Sequence, residues 1–228
     1  MSSTQLSLHH IVQEPRTVRG GAPPLLLLLH GIGSDERDLI GLAPSLDERF
    51  FIVSARAPIA LGLQSFAWYH AEFVPEGSII NAEEAEDSRK LLLGFIGELV
   101  EKYSLDSRRV YLMGFSQGAI MSLALGLSEP NQVAGIVAMS GRLLDEALPL
   151  LAPAESLAGL PILVVHGTED PVLPVQFGRA IQRRLDSLPV ALTYREYPIG
   201  HQVSKESLSD VAEWLREQLD GGGRTASG

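Results

Sequence analysis

The chain contains no cysteine. Disulfides, thiolate zinc sites and cysteine nucleophiles are therefore excluded. Cations are in short supply, with 18 Lys and Arg against 28 Asp and Glu and a net charge of −10. Nucleic-acid binding rests on clustered Lys and Arg, so no nucleic-acid partner is expected. The same deficit removes standing attraction to anionic lipid, and no stable membrane association is expected either. Long hydrophobic runs are also missing. The longest purely apolar stretch is Leu25–Leu29, far short of the roughly 20 residues that span a bilayer. Met1 to His10 has neither a basic region nor an apolar core of the kind that begins a secretory signal. A cytoplasmic protein is the expectation.

What is present suits a globular chain. Hydrophobic residues make up 45% of the 228 positions, enough for a sizeable core in a single large domain. That domain is expected over residues 1–220. The Gly/Ser/Thr-rich stretch Gly221–Gly228 reads as a disordered tail. Glu83, Glu84, Glu86 and Asp87 gather where a helix start is expected, and the helix dipole favours acidic side chains there.

Short β-rich runs alternate with longer amphipathic stretches, the pattern of βαβ units and a mostly parallel sheet flanked by helices. Strands are expected at Leu6–Val12 (an antiparallel edge), Leu25–Leu29, Phe50–Ser54, Val110–Phe115, Val133–Met139, Ile162–Val165 and Ala191–Tyr197. Helices are expected near 35–48, 82–103, 117–128, 174–187 and 204–219. Residues 58–80 and 142–160 break the rhythm and read as long irregular segments.

Gly114-Phe115-Ser116-Gln117-Gly118 is a G-x-S-x-G pentapeptide placed between the strand Val110–Met113 and a helix of small residues. That context makes it a nucleophile elbow of the α/β-hydrolase type, in which a strained strand-to-helix turn lifts the serine hydroxyl above the sheet. A serine needs a base to take its proton, and the base needs an orienting acid. In this fold the chain order is serine, acid, histidine. Asp170 follows the strand that ends at His166-Gly167, and His201 follows the last strand, so both stand at strand exits. Asp145 follows the serine but lies in an irregular segment. Glu169 neighbours Asp170 and points elsewhere. His166 precedes the acid and reads as structural, whereas His9, His10 and His70 lie upstream of the nucleophile. Acyl transfer also needs two N–H donors for the oxyanion. The backbone amides of Gln117 and of Ile32, between Gly31 and Gly33, fit that need. His30 and Asp35 have the H-x4-D spacing of some acyltransferases, but glycines on both sides of Ile32 serve the oxyanion reading better. Trp68, Tyr69, Leu63 and Phe73 are candidates for an acyl pocket, with Leu143 and Leu144 opposite. The competing reading has these side chains anchoring a long loop.

His30-Gly31-Ile32-Gly33-Ser34-Asp35-Glu36, Arg56-Ala57-Pro58, Trp68-Tyr69, the serine pentapeptide, His166-Gly167 with Asp170, and Gly200-His201 together resemble the phospholipase/carboxylesterase family, over about Leu25 to Leu219. The resemblance implies an α/β-hydrolase without a large cap domain that acts on carboxylic or thio esters. It implies Ser116, Asp170 and His201 as the triad and Ile32 and Gln117 as oxyanion donors. No metal and no organic cofactor are implied. The partner is a small-molecule ester, and a homodimer is compatible because family members are often dimeric. The turn Gly33-Ser34-Asp35 departs from the thioesterase branch, which places its Asp directly after the second Gly. The expected activity is therefore that of a serine carboxylesterase on short- to medium-chain esters. Acyl-protein thioesterase or lysophospholipase activity on the same triad is the alternative, and a non-catalytic ligand receptor is the reading from another class.

Overall fold

Five consecutive leucines, Leu25–Leu29, have no exposed surface and form most of strand β2 (Pro24–Leu29). Successive side chains in a strand point to opposite faces, so an unbroken apolar run needs a covering layer on each side. Both layers are present in the computed structural model, which describes residues 6–17, 20–74 and 77–221. Leu25, Leu27 and Leu29 enter one apolar cluster, and Leu26 and Leu28 enter another on the other face. Burying each such leucine contributes about 2 kcal/mol.

The main sheet has seven strands. In spatial order they are β1 (His10–Gln13), β3 (Phe51–Ala55), β2, β8 (Asp106–Phe115), β9 (Gly135–Met139), β10 (Pro161–Gly167) and β11 (Ala191–Tyr197). β1 is antiparallel to β3 at one edge, and the other pairings are parallel. Helices α1 (Ala82–Tyr103) and α2 (Gln117–Ser128) cover one face. The same face carries α3 (Ala154–Leu157) and α4 (Val175–Leu185). Helix α5 (Lys205–Asp220) covers the other face with Val211, Trp214, Leu215 and Leu219. The acidic cluster opens α1 as expected: Asn81 caps it by accepting from the Glu84 amide, and Glu83 and Glu84 fill its first turn.

Three expected segments differ. The helix expected over 35–48 is only a 3-10 turn, Leu39–Ser45. Pro44 within it cannot donate a backbone hydrogen bond, and Asp35 and Asp38 carbonyls are taken up in local turns. Residues 58–80 are not irregular. They contain two antiparallel hairpins, β4 (Ile59–Gly62) with β5 (Ser65–Ala67), and β6 (Ala71–Val74) with β7 (Gly77–Ile80). The first hairpin turns through Gln64 in the left-handed region (φ 56°), where glycine or asparagine would have been the usual signal. The edge strand starts later than expected, at His10. Segment 142–160 stays largely irregular, with a 3-10 turn at Asp145–Leu150 and the single turn of α3. Of the expected tail, residues 222–228 lie outside the described residues.

β8 enters α2 through Ser116, held at φ 52° and ψ −118°. Such a conformation is stored only where the surroundings over-determine it. Here the helix start presses onto the sheet. A Cβ on Gly118 would fall 1.9 Å from the Leu29 carbonyl oxygen, and one on Gly114 would fall 2.2 Å from the Gly118 carbonyl oxygen. The turn after β2 is fixed just as firmly. Gly33 N donates to Phe66 O (2.8 Å) and Phe66 N to Ser34 O (3.0 Å), which ties that turn to the first hairpin. Arg56, past the end of β3, grips Glu36 with two bonds of 2.6 Å and stacks 4.6 Å over the Phe66 ring. The Arg56 guanidinium holds the Glu36 carboxyl down at about 2.

Gly118→Ala is expected to destabilise the fold by about 3 kcal/mol or more, because the clash is with backbone that cannot rotate away. In a thermal melt that corresponds to a fall in Tm of about 6 °C or more; an unchanged Tm would contradict the packing described. Glu36 should also shape the acid limb of stability. Its folded pKa is depressed, so its contribution is complete above its ordinary value of 4.5 and disappears as pH falls toward about 2. Arg56→Gln should lower Tm at neutral pH and flatten the loss across that window. Calorimetry of both proteins through the window checks this, and parallel Tm curves would refute it.

Candidate active site

The parallel strands end on one side of the sheet, where ligands bind in open α/β folds. Ser116 stands at the end of β8, Asp170 just past β10 and His201 just past β11. Asp170 is buried, and its two oxygens have different partners. Oδ1 accepts from the amides of Val172 and Leu173, both at 2.8 Å. Oδ2 lies 2.7 Å from Nδ1 of His201. A carboxylate only accepts, so Nδ1 carries the hydrogen and Nε2 is left as the basic nitrogen. The loops bearing the two residues are joined by Thr168 N donating to Tyr197 O (2.7 Å) and Glu169 N to Ile199 O (3.1 Å). The His201 ring rests against Phe115, the residue before the serine, with ring centroids 4.8 Å apart.

The competitors sit elsewhere. Glu169 is exposed, and Asp145 is an exposed residue opening a 3-10 turn. His166 is fully buried, and its Nε2 donates to Leu173 O at 2.7 Å, as a structural histidine should. His30 is fully buried with both ring nitrogens engaged. The Ala57 amide donates to Nε2 (3.0 Å), so the proton is on Nδ1, which donates to Gly31 O (2.7 Å). Burial holds its pKa below the ordinary histidine value, which keeps the ring neutral. Asp35 accepts from the Arg37 amide in its own turn. The pair is therefore built into the scaffold, and the acyltransferase reading of its spacing has no geometric basis.

His30 and the Ser34 amide both bond the Gly31 carbonyl. In a trans peptide the following N–H, that of Ile32, lies on the opposite side from that carbonyl. Gln117 opens α2, where helix amides have no partner inside the helix. Its side chain is also engaged: Oε1 accepts from Trp68 N and Nε2 donates to Tyr69 O, each at 2.8 Å. Ile32, Ser116 and Gln117 line one cavity with Tyr69, Ala71, Ile120, Arg142 and Leu173, of about 330 Å³ including open solvent at its mouth.

The acyl-pocket candidates divide. Tyr69 lines the cavity. Trp68 does not: it has no exposed surface, and its indole N–H donates to His30 O (3.0 Å), so it anchors the loop. Leu63 is 96% exposed at the tip of the first hairpin and lines nothing. Phe73 lies on β6, and its side chain is outside the described residues. Leu144 is buried in the core and Leu143 packs against it. Sequence reasoning missed Ala71, Ile120, Arg142 and Leu173. Two of these could have been found by spacing, since Ile120 is one helical turn beyond Ser116 and Leu173 is three residues beyond Asp170. Among the described residues no cluster of His, Asp and Glu suits a metal ion, and no helix is long and apolar enough to cross a membrane.

Known proteins share this arrangement of the chain. The family model described as Phospholipase/Carboxylesterase matches residues 10–219. Acyl-protein thioesterase 1 of Gibberella zeae is 28% identical over 213 residues, covering 85% of this chain and 90% of its own. The solved structure of esterase PE8 superposes with a TM-score of 0.78 at 28% identity, over 93% of this chain and 99% of that one. A carboxylesterase from Mesorhizobium loti, 24% identical, shares the fold with a TM-score of 0.80 over 93% of this chain and 96% of its own. With a match that runs from the edge strand to the last helix, the chain belongs to the phospholipase/carboxylesterase family of α/β-hydrolases.

Proposed function

We propose that the protein hydrolyses carboxylic esters through an acyl-enzyme formed on Ser116. The observation that carries this reading is the Asp170–His201 pair, bonded at 2.7 Å, at the same C-terminal ends of the parallel strands where the strained Ser116 elbow stands. In this scheme Nε2 of His201 removes the Ser116 hydroxyl proton as Oγ attacks the ester carbonyl. Asp170 holds the imidazole in the Nδ1–H tautomer and stabilises the imidazolium. The amides of Ile32 and Gln117 receive the oxyanion, in a site already shaped before substrate arrives. The tetrahedral intermediate collapses, the carbonyl re-forms as the bond to the alkoxide breaks, the alcohol leaves with the proton from His201, and an acyl-serine remains. Water then attacks the acyl carbon while His201 takes its proton, and on collapse His201 returns that proton to Ser116 Oγ as the acid departs.

The cavity supports a short acyl group, with Ile120, Leu173 and Ala71 as apolar wall. Graded selectivity is expected, since such walls discriminate by only about 1–3 kcal/mol per methylene. A thioester reading stands almost level with the oxygen ester, because the Gibberella zeae relative bears the name acyl-protein thioesterase. Hydrolysis of a matched oxygen-ester and thioester pair with one acyl group decides between them. A ligand receptor without chemistry is disfavoured, because serine, histidine and acid are all present at strand ends.

Ser116→Ala should abolish hydrolysis while the protein stays folded, with turnover falling by about 10⁶ as in other triad hydrolases. The wild-type protein should be labelled covalently by a fluorophosphonate and the variant should not. Retained activity or labelling in folded Ser116→Ala would overturn the mechanism. Asp170→Asn should favour the wrong imidazole tautomer and lower turnover by about 10⁴, while Asp145→Asn leaves it near wild type. The reverse result would move the acid to Asp145 and leave the nucleophile untouched.

A further inference from the structure

The wall of the cavity is apolar apart from a few groups, and one of them is a phenol. Tyr69 is buried and packs in the core, yet it borders the same cavity as Ser116 and Ile32. A tyrosine has an apolar body and a polar tip, so a buried one needs a partner for its hydroxyl. Phenylalanine would give the same packing without that need.

The backbone on both sides of Tyr69 enforces its placement. Trp68 N donates to Gln117 Oε1, and Tyr69 O accepts from Gln117 Nε2, each at 2.8 Å. Trp68 O accepts from the Ser88 hydroxyl on α1. Past Tyr69, His70 N donates to Glu84 Oε2 (2.7 Å), and His70 O accepts from Asn81 N (3.0 Å).

Burial keeps the phenol neutral, well above its ordinary pKa. Two charged groups act on it in opposite senses. Arg142 favours the phenolate and Glu146 opposes it, and burial outweighs both. Arg142 is brought to the cavity by the turn at Ser140 (φ 50°) and by Gly141, where a Cβ would lie 2.8 Å from the Ala119 Cβ. The Gln117 side chain also lowers the phenol pKa, through a hydrogen bond. A bond of that sense is one the phenol oxygen accepts, because it favours the ionised form. Gln117 Nε2 has a second hydrogen for it, beyond the one given to Tyr69 O. The phenol's own hydrogen is left to donate. Besides Tyr69 itself, only Ser116 and Gln117 carry a side-chain acceptor among the described residues lining the cavity. Gln117 Oε1 is taken by Trp68 N, and Ser116 Oγ is the atom that attacks substrate.

His201, which must reach the leaving oxygen, is not among the described residues bordering this cavity, so the cavity takes the acyl part of an ester. We propose that Tyr69 is a specificity-determining residue whose hydroxyl donates to an ether or keto oxygen in the acyl part, a few atoms from the ester carbonyl. This rests on the ester-hydrolase reading and adds the substrate class to it. An all-carbon chain in the same place would cover the hydroxyl and leave it unpaired, which weakens binding.

The test uses three para-nitrophenyl esters of one shape. One is the pentanoate; the others are the ethoxyacetate and the 3-methoxypropanoate, in which an oxygen replaces one methylene. Each is measured as kcat/KM in the wild type and in Tyr69→Phe, so the intrinsic reactivity of the ester cancels. Tyr69→Phe is expected to lower the value about 3- to 10-fold on the better ether, the range of one neutral hydrogen bond. On pentanoate it should raise the value, because no hydroxyl is stranded beneath the chain. The wild-type ratio of ether to pentanoate should stay constant from about pH 6 to about pH 9, since the donor stays protonated. Equal losses on all three esters would show a structural role and overturn the proposal. An ether-to-pentanoate ratio left unchanged by Tyr69→Phe would overturn it too, as would a wild-type ratio that titrated. If the wild type cleaved none of the esters, the hydrolase reading would fail first and this proposal with it. A wild type active on pentanoate, with the ratio unmoved by Tyr69→Phe, would remove only the proposal.

Discussion

Everything at the candidate site depends on how closely the first turn of α2 approaches the end of β2. The space between Gly118 and the Leu29 carbonyl admits no side-chain carbon. That contact forces Ser116 into a conformation an L-residue rarely adopts. It also sets the helix amides and the turn after β2 on the same side of the sheet, bordering one cavity. The strain is held by the layers around it: β2 is buried on both faces, and α2 is buried through nearly its full length. A helix with an ordinary polar face could not lie so deep. The low polarity and small residues of 117–127 are therefore as much a condition of the site as the serine itself.

A second layer of polar groups holds the peptides that border the cavity. Gln117 has one amide in the backbone beside Ser116 and another at the end of its side chain, and the second accepts from Trp68 N and donates to Tyr69 O. Trp68 in turn bonds the His30 carbonyl, and His30 bonds Gly31. The chain Gln117–Trp68–His30–Gly31 joins the two peptides proposed as oxyanion donors. Each member is buried, and the side-chain polar groups of Gln117, Trp68 and His30 are all bonded to named partners. In such a low-dielectric setting a full set of bonds gives rigidity, and one unmade bond would be costly. This accounts for an aromatic residue that does not line the cavity yet sits at the centre of the arrangement.

The order of elements, the elbow and the positions of acid and histidine were legible in the sequence because each rests on local chemistry. A strand followed by G-x-S-x-G and a small-residue helix has few other readings, and a turn after an apolar strand marks a strand exit. What was not legible depends on tertiary placement. Leu63, Trp68 and Tyr69 lie within seven residues and are all large and apolar or aromatic. One is fully exposed, one is a buried anchor and one lines the cavity. Composition cannot separate these fates, because they follow from where a hairpin turns and which faces its ladder presents. Gln64 in a left-handed turn carried no glycine to announce it. Arg142 was hidden for a related reason: its position at the cavity comes from the strained Ser140 and the tight Gly141, and neither has a distinctive sequence signature.

The acid shows how the remaining precision is obtained. A carboxylate with both oxygens available could rotate among partners and hold an imidazole only loosely. Asp170 has no such freedom, because two backbone amides occupy Oδ1 and leave Oδ2 for His201. His166 Nε2 lies 3.8 Å from Oδ2, beyond hydrogen-bond range, and gives its proton to the Leu173 carbonyl instead. Leu173 is thus held from two directions, its amide by Asp170 and its carbonyl by His166, and it is also part of the cavity wall. The residue that orients the proposed base and the residue that shapes the acyl space are therefore fixed by one loop. Loosening that loop would disturb proton transfer and substrate fit together, so kcat and KM effects should not separate there.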